Sequence, residues 1–483
     1  MENKTTGTTG SCDGLGHDLE RVAVRTSRSE FQAVGRTSRR RGTGPRWTAR
    51  LCAVLALWGG VTPLAAQSSP PDPSGSVSSL RQRAQSTEFV LLTASPGAQI
   101  WEHYGHNEIV AFDVGSGKAL SYNYGVFDME RPGFYRDFFF GDWQYRVGVF
   151  SVEYHLEEYR RAGRTVWLQH LELNVEQRAQ LLHFLEENAK EENAWYRYHY
   201  YLDNCSTRVR DALDQVLGGR IRAATVGLPG SPPIGGDPAD TVSFRYHTLR
   251  LSGHLTASGL LAYFGTMLVF GTPIERPISV WEEMFIPMVV RDAVRRVTVV
   301  NEWGAEVPLV DREETIPPGA RPRDPPAPPS WILPCAAVGI FAALLLVLLA
   351  RAAPRRRVAW GAFVLGATFV SFTIGVCGVF IDAVWALTRH ESAHANVNVL
   401  YFTPLALLLA LVTPFAASGR PGALRWARGL ALITLGLTFL GLLLEWIPAF
   451  AQTNGPLLAL VLPLHAALAF VWLRWPRATI TGR

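Results

Sequence analysis

Long apolar runs with few charges fill the chain beyond residue 330, whereas apolar and polar positions alternate or recur at helical spacing before it. The apolar runs lie at about 331–350, 358–387, 399–417, 428–447 and 456–473. Each run reaches the roughly 20 residues that one helical membrane crossing needs. The pattern therefore predicts an all-α bundle of five transmembrane helices over residues 331–483.

Arginines set the orientation of this bundle. They follow the first run, separate the third from the fourth, and follow the last, so all fall on one side if the five spans alternate. The positive-inside rule makes that side cytoplasmic and places residues 67–330 and the loop "TRHESAHAN" outside the cytoplasm. A further apolar stretch, 255–273, would invert this order if it crossed the membrane, so we expect it to lie in the core of the exported domain.

Composition divides the remaining chain into three parts. Residues 1–66 are predicted to be a basic tail followed by a signal peptide, with an uncleaved N-terminal anchor as the alternative. Residues 67–310 form the exported domain, and residues 311–330 are predicted to be a proline-rich linker. The net charge of +5 comes mainly from arginines in the tail and between apolar runs, so membrane topology explains it and nucleic acid is not an expected partner.

The exported domain carries both strand and helix signals, which predicts an α+β fold. "NEIVAFDV" and "ALSYNYGVF" flank the turn sequence "GSGK" and predict a β-hairpin. "SVEYHLEEYRRAG" and "NVEQRAQLLHFLEENAKEEN" have helical spacing, the second with Asn174 as its N-cap. A further helix is predicted to begin at Cys205, with Asn204 as its N-cap and Gly218 and Gly219 as its end.

Cys205 is the only cysteine of the exported domain, since Cys12 and Cys52 lie in the leader and Cys335 and Cys377 in apolar runs. It therefore has no disulfide partner within its domain. A thiol in the first helical turn lies where unpaired N–H groups stabilise a thiolate. The alternative is a small buried core residue.

A thiolate nucleophile needs a base, and "WEHYGHNEIVAF" supplies two histidines. We favour His106 over His103, because it directly precedes the strand and follows Gly105, which permits a close backbone approach. Asn123, on the partner strand of the hairpin, is the candidate for orienting the imidazole, although the sequence leaves the register open. A metal site at His103 and His106 is not expected, since no further ligands with zinc spacing lie nearby, and no cofactor is expected.

Several motifs together resemble the family named for the periplasmic N-terminal domain of the lipoprotein N-acyltransferase Lnb, found in bacterial envelopes. They are "YGHNEIVAFD", "YNYGVFD", "YRYHYYLDNCSTRVRDALD" and "EEMFIP", spread over roughly residues 85–300. A shorter similarity continues in the bundle at His390, Asn396, Asn398 and Pro404. Histidine before cysteine, with the cysteine opening a helix, is similar to the circularly permuted papain-like fold of the lecithin–retinol acyltransferase group and of NlpC-type domains.

The resemblance implies a cysteine-dependent acyltransferase of the bacterial inner membrane with a periplasmic catalytic domain. Cys205 would be the nucleophile and His106 its general base. A phospholipid would donate the acyl chain through a thioester, and the α-amino group of a lipoprotein would accept it. The expected substrate-binding residues are Asn204, Arg208, His390, Asn396 and Asn398. Arg208 would contact lipid phosphate or lie on a solvated helix face, and Asn204 would polarise a carbonyl or only cap the helix.

Two other functional classes stay open. The same Cys–His pair would suit a papain-like peptidase that cuts cell-wall peptides. The chain could also be an envelope module without catalysis, in which Cys205 packs in the core or joins a second chain. Aromatic residues beside arginines in "FYRDFFFGDWQYRVGVF" indicate an interfacial surface or an acyl groove, and ordinary core packing is the alternative.

Overall fold

The computed structural model describes residues 73–230, 242–253, 256–317, 325 and 327–476. The exported domain from Ala84 onward and the bundle lie in one compact unit. The predicted signal peptide or anchor within residues 1–66 lies outside the described residues.

A seven-stranded antiparallel sheet organises the exported domain, with strand order β6-β4-β3-β2-β1-β5-β9. β2 lies at its centre, and the buried residues of β1 and β2 make near-continuous apolar runs. Two further short strands, β7 and β8, pair separately. The strands are β1 Thr87–Ala94, β2 His106–Asp113, β3 Lys118–Val126, β4 Gln144–Ser151, β5 Val166–Leu171, β6 Trp195–Arg197, β7 Thr298–Val300, β8 Glu306–Pro308 and β9 Val310–Ile316.

The predicted hairpin is confirmed: β2 and β3 pair antiparallel, with Asp113 opposite Lys118. Gly117 in the connecting turn has a φ of 68°, which favours glycine. The hairpin matters for the site because it carries His106 at the start of one strand and Asn123 near the end of the other.

Helices cover the sheet and fill the space between it and the bundle. The helix of "NVEQRAQLLHFLEENA" is capped by Asn174 as predicted, since its side chain accepts a hydrogen bond from the Gln177 N–H. The helices of the exported domain are α1 Pro73–Gln85, α2 Phe134–Phe140, α3 Val152–Arg161, α4 Val175–Ala189, α5 Glu191–Ala194, α6 Cys205–Val216, α7 Arg220–Thr225, α8 Phe244–Ser252, α9 Ala257–Val269, α10 Val280–Glu283 and α11 Pro287–Val294.

Among the described residues of the apolar C-terminal region, five helices are long and apolar enough to cross a membrane, as the sequence predicted. The stretch at 255–273 contains the 13-residue α9, Ala257–Val269, which is too short to span and packs against the bundle through Tyr263 and Met267. The helices of the bundle are α12 Ile332–Ala352, α13 Arg357–Leu387, α14 Asn398–Tyr401, α15 Leu405–Ala417, α16 Pro421–Leu444 and α17 Gly455–Arg474, with α14 and α15 sharing one candidate span.

The ordered domain reaches further along the chain than the sequence indicated. β9 pairs with β5, with Val310 opposite Leu171 and Ile316 opposite Val166. The sheet therefore ends six residues beyond the predicted domain boundary at 310. β9 is an edge strand with the charged sequence "VDREETI", and such strands lack the apolar run that marks a central strand. For this reason the charged residues resembled the start of a linker.

The exported domain and the bundle share a core. Tyr201, Phe244 and Phe285 of the domain pack in one buried cluster with Val384 and Ala393 of the bundle. This shared core fixes the site of the exported domain above one end of the candidate spans.

Candidate active site

Cys205 is the first residue of α6, and Asn204 caps that helix as predicted. The Asn204 Oδ1 accepts hydrogen bonds from the Ser206 and Thr207 N–H groups, both at 2.9 Å. Its amide nitrogen donates to the carbonyl oxygens of Tyr200 and Phe285, both at 3.0 Å. The Asn204 amide is thus engaged with protein atoms throughout, and a substrate contact would require one of these bonds to break.

His106 opens β2 and lies beside Cys205, with which its side chain forms a hydrogen bond. Both residues are half-buried, so the pair is accessible from the surface. Gly105 has a φ of 91°, and an added Cβ would lie 2.8 Å from the Ala94 carbonyl oxygen. The glycine before His106 therefore permits the close backbone approach that the sequence suggested, and His103 is buried in the preceding turn.

Asn123 holds the far side of the His106 ring. Its Oδ1 lies 2.9 Å from His106 Nε2 and also accepts a 2.7 Å hydrogen bond from the Gly125 N–H. Because a backbone N–H can only donate, this oxygen is the acceptor, and His106 Nε2 must carry the proton. The other ring nitrogen, Nδ1, is left to exchange a proton with the thiol. The register of β2 and β3, in which Ile109 lies opposite Tyr122, places Asn123 on the face of the sheet that carries His106 and Glu108.

The charges of the pair stabilise each other. Burial lowers the pKa of His106, but the Cys205 thiolate and then the Glu108 carboxylate outweigh it and raise this pKa to about 9. Burial alone would raise the pKa of Cys205, yet the His106 imidazolium and the N–H groups of Asn107 and Ser206 hold it below its ordinary value. The two groups therefore favour each other's charged form, the thiolate and the imidazolium.

Neighbouring residues fix the position of α6 against β2. The Ser206 hydroxyl donates to Asn107 Oδ1 at 2.8 Å, and the Asn107 amide nitrogen donates to Thr93 Oγ1 at 2.8 Å. All three side chains are fully buried. This chain of hydrogen bonds ties the residue after Cys205 to the residue after His106, so the two reactive side chains are held in register.

A buried carboxylate near the pair was not anticipated from the sequence. Glu108 is fully buried, with Oε1 at 3.7 Å from His106 Nε2. The hydroxyl groups of Ser121 and Tyr159 donate to it, and His155 Nδ1 lies 2.6 Å from its Oε2. Although burial opposes ionisation, these hydrogen bonds and the charges of His155 and His106 lower the pKa of Glu108 to about 2.

The sequence does contain a signal for this carboxylate. Glu108 lies two residues after His106 on one strand, so both side chains project to the same face of the sheet. His155 and Tyr159 are four apart on α3, which places them on the same face of the helix. A glutamate inside the apolar run "EIVAF" needs such partners, and this requirement could have revealed the network.

The other predicted substrate-binding residues contact protein atoms, each at a different place. The Arg208 guanidinium donates two hydrogen bonds to the Asp203 carboxylate, one of them 2.6 Å long. It also lies 4.3 Å above the centroid of the Tyr196 ring. Its role as a phosphate contact stays a prediction. His390 belongs to the loop between α13 and α14, where its Nε2 lies 3.0 Å from the Phe138 carbonyl oxygen.

Asn396 and Asn398 connect the bundle to α9. The Asn396 amide nitrogen donates to the carbonyl oxygens of Leu268 and Val269, and that of Asn398 donates to those of Met267 and Leu268, at 2.8 to 3.1 Å. These carbonyls end α9 and lack helical partners of their own. Both asparagines are fully buried and so cap α9 from the bundle. The substrate contact implied by the resemblance would need these bonds to break.

Within the part of the chain that the structure describes, no group of three or more histidine, cysteine or acidic side chains could hold a metal ion. Cys205, Cys335 and Cys377 are all free thiols there. The remaining two cysteines, Cys12 and Cys52, lie outside the described residues.

Comparison with known proteins agrees with the motifs. Residues 80–246 match the family model of the Lnb N-terminal periplasmic domain, which confirms the resemblance. No curated protein and no solved structure matches the chain. The matched segment contains both Cys205 and His106. Residues 80–246 thus match the Lnb N-terminal periplasmic domain family, and the five candidate membrane spans of the chain follow that segment.

Proposed function

We propose that the protein is a cysteine-dependent acyltransferase that moves an acyl chain from a phospholipid to the α-amino group of bacterial lipoproteins. The proposal depends on one observation above all: Cys205 at a helix N-terminus, His106 and Asn123 form a connected hydrogen-bonded group. This arrangement is the one expected of a permuted papain-like domain, in which the histidine precedes the cysteine along the chain. The bacterial inner membrane is the location that fits both substrates.

In the first step, the Cys205 thiolate attacks the carbonyl carbon of a phospholipid ester. The C–S bond forms, the ester C–O bond breaks, and the leaving alkoxide takes the Nδ1 proton of the His106 imidazolium. The products are a Cys205 thioester and a lysophospholipid. Asn123 contributes by keeping the proton of Nε2 in place, so that only Nδ1 exchanges protons.

In the second step, the amine of the lipoprotein attacks the thioester. The N–C bond forms, the C–S bond breaks, and His106 Nδ1 accepts a proton from the amine as Cys205 leaves as a thiolate. The ion pair is restored without an external oxidant or reductant. The same groups thus act first as acid and then as base, which suits an imidazole held in one tautomer.

The oxyanion that forms in both steps needs hydrogen-bond donors. The N–H groups of Ser206 and Thr207 already donate to Asn204 Oδ1, so they are engaged elsewhere. The Cys205 N–H is the first of α6 and points toward the same end of the helix, where N–H groups lack helical partners. We assign it to the oxyanion.

Attachment of the domain to the bundle supports a lipid substrate over a cell-wall peptide. α9 is capped by Asn396 and Asn398, and Glu275 accepts hydrogen bonds from the N–H and hydroxyl of Thr453 in the loop between α16 and α17. Arg245, which is fully buried, in turn lies 2.6 Å from Glu275. Such fixation keeps Cys205 near the membrane surface, which a diffusing peptide does not require.

Mass spectrometry of lipoprotein N-termini tests the proposal in cells that depend on this protein for N-acylation. Cys205→Ala and His106→Ala should each abolish the N-linked acyl chain, whereas Cys377→Ala, which removes a free thiol from a candidate span, should preserve it. Persistent N-acylation with Cys205→Ala would overturn the proposal. If muropeptides change instead, the pair serves a peptidase, and if neither product changes, Cys205 has a structural role.

A further inference from the structure

α2 lies at the level of the membrane surface. The Phe139 ring lies 6.3 Å from that of Phe380 in α13, and the Arg389 N–H donates to the Phe140 carbonyl oxygen at 2.9 Å. α13 has 31 residues, about 46 Å of helix, so it exceeds the roughly 30 Å hydrocarbon core. A crossing of roughly 20 residues that starts beside Arg357 ends about one turn before Phe380. Phe139 is therefore at the outer interfacial level.

The outward face of this helix is unusually aromatic. Tyr135, Phe138 and Phe140 are 71%, 46% and 40% exposed, and the Arg136 side chain is 73% exposed between them. Exposed aromatic rings in water cost free energy, but at the headgroup level they are favoured. Their position beside α13 indicates that they contact lipid.

A continuous series of rings leads from this face to the thiol. Phe138 lies 4.8 Å from Trp143, Trp143 lies 5.9 Å from Tyr198, and Tyr198 lies 4.1 Å from Tyr145, measured between ring centroids. Trp143 is buried, whereas Tyr145 and Tyr198 are half-buried. We call these four residues the aromatic track.

The inner end of the track reaches Cys205. After burial, the charge of Cys205 is the next cause that raises the pKa of Tyr145, and it also contributes to the raised pKa of Tyr198. The geometry agrees: the Trp143 ring lies 5.0 Å from the Tyr200 ring, and the Tyr200 carbonyl oxygen accepts a 3.0 Å hydrogen bond from the amide of Asn204, the residue before Cys205. The track thus joins the membrane surface at one end to the nucleophile at the other.

We propose that the aromatic track receives an acyl chain from the periplasmic leaflet and guides its ester carbonyl to Cys205. This inference rests on the proposed acyl transfer and adds the route of the donor. A flat ring surface offers apolar contact to a flexible chain without requiring one chain length, and the tyrosine hydroxyls remain available to water or headgroup atoms. The rings therefore suit a lipid tail more than a hydrophilic peptide.

Photocrosslinking tests the route without requiring turnover. The full chain with Cys205→Ser is placed in nanodiscs with phosphatidylethanolamine and phosphatidylglycerol that carry a diazirine at the end of one palmitoyl chain. We expect adducts on Phe138, Tyr145 or Tyr198, and none on Tyr154, which is 55% exposed on α3 and serves as an internal comparison. Adducts confined to α12–α17 would overturn the proposal.

A matched pair of variants separates the route from the chemistry. Phe138→Ser should slow acylation of Cys205 by long-chain phospholipid roughly tenfold more than acylation by water-soluble p-nitrophenyl acetate. Tyr154→Ser removes an exposed aromatic ring elsewhere and should change neither rate. An equal fall in both rates for Phe138→Ser, or no fall, would contradict the route.

Failure of the route and failure of the acyl transfer can be distinguished. If the unmodified protein is acylated by neither ester, the proposed function fails, and the crosslinking pattern still decides whether a lipid chain occupies the track. If both esters acylate Cys205 but crosslinks avoid the track, only the route fails.

Discussion

The Ser206 hydroxyl donates a 2.8 Å hydrogen bond to Asn107 Oδ1, and each of these residues directly follows a member of the Cys205–His106 pair. Ser206 belongs to α6 and Asn107 to β2, which are separated by about a hundred residues of sequence. One buried polar contact thus sets the register between the helix that carries the thiol and the strand that carries the imidazole.

Replacement of this hydroxyl should misalign the pair while leaving both reactive groups present. Ser206→Ala leaves the buried Asn107 Oδ1 without its donor, which costs about 1–3 kcal/mol of stability. We expect the rate of Cys205 alkylation by iodoacetamide at pH 7 to fall as well, because the thiolate loses part of its contact with His106.

Thr225→Ala provides the control for this variant. Thr225 is a buried hydroxyl that donates to the Ile221 carbonyl oxygen within α7, away from the pair. It should lower stability without changing the alkylation rate. Unchanged alkylation in Ser206→Ala would show that the contact does not align the pair.

The ion pair predicts a distinctive pH dependence for the wild-type protein. The pKa of Cys205 lies below its ordinary value, so alkylation should already be fast at a pH where an unperturbed thiol, with a pKa of about 8.5, is protonated. The pKa of His106 is raised to about 9, so acyl transfer should decline above that pH as the imidazolium loses the proton it gives to the leaving group. The alkylation rate and the acyl-transfer rate, each measured between pH 5 and 10, give the early rise of the first and the decline of the second. An alkylation midpoint at or above the ordinary thiol pKa would contradict the ion pair.

The Glu108 carboxylate should set the pH at which acyl transfer declines. Its negative charge is among the causes that raise the pKa of His106, so Glu108→Gln should move the decline in transfer to lower pH. The variant also removes the carboxylate partner of buried His155, and breaking such a pair costs about 3–5 kcal/mol. The rates are therefore normalised to the folded fraction, determined by thermal unfolding.

Ser121→Ala is the matched comparison, because it removes one hydrogen bond to Glu108 and keeps the charge. It should preserve the pH at which transfer declines. If Glu108→Gln and Ser121→Ala give the same profile, the carboxylate acts through packing and not through its charge.

Gly125 tests whether the His106 ring tolerates displacement. A Cβ at this position would lie 2.6 Å from His106 Cε1 and 3.1 Å from Asn123 Oδ1, so Gly125→Ala must move the ring or the amide. We expect transfer to fall by roughly a hundredfold or more, as small misplacements of catalytic groups do. Gly227→Ala, where no atom lies within 4 Å of the added carbon, should retain activity. Full activity of Gly125→Ala would show that the His106–Asn123 contact is dispensable.

Local patterns were enough to predict the elements that carry the site, but not the contacts between them. The β2–β3 hairpin, the capped helices and the five long apolar helices follow from turn residues, spacing and length. The contact of Asn123 with His106 depends on the register of β2 against β3, and no local signal marks which residue of "SYNYG" faces the imidazole. The orientation of a strand side chain changes with a single-residue slip, so it could not be read from the pattern.

Polar residues posed a second difficulty, since a sequence motif does not show whether an amide side chain binds substrate or protein. Asn396 and Asn398 were expected at a substrate site, and the structure gives their amides to the C-terminal carbonyls of α9. Those carbonyls are about 130 residues away in sequence, and only the packed bundle brings them together.

The junction between domain and bundle provides the last prediction. A Cβ on Gly271 would lie 1.9 Å from the His394 carbonyl oxygen and 2.9 Å from the Asn396 N–H nitrogen, both backbone atoms. Gly271→Ala must therefore separate the end of α9 from the bundle loop and weaken the caps from Asn396 and Asn398. Since Cys205 itself is untouched, the rate of its alkylation should change little. Acyl transfer from phospholipid in nanodiscs should fall by roughly tenfold or more, because the aromatic track no longer meets the membrane at a fixed height.

Gly265→Ala is a close control, since it lies within α9 and no atom lies within 4 Å of the added carbon. Alanine in a helix interior is favoured over glycine by about 0.5–1 kcal/mol, so this variant should be as stable as the wild type or more so, with normal transfer. Limited proteolysis of Gly271→Ala should also cut the junction faster than in Gly265→Ala. If Gly271→Ala transfers acyl chains from nanodiscs at the normal rate, a rigid junction is not needed, and a domain that moves freely above the membrane would account for the activity equally well.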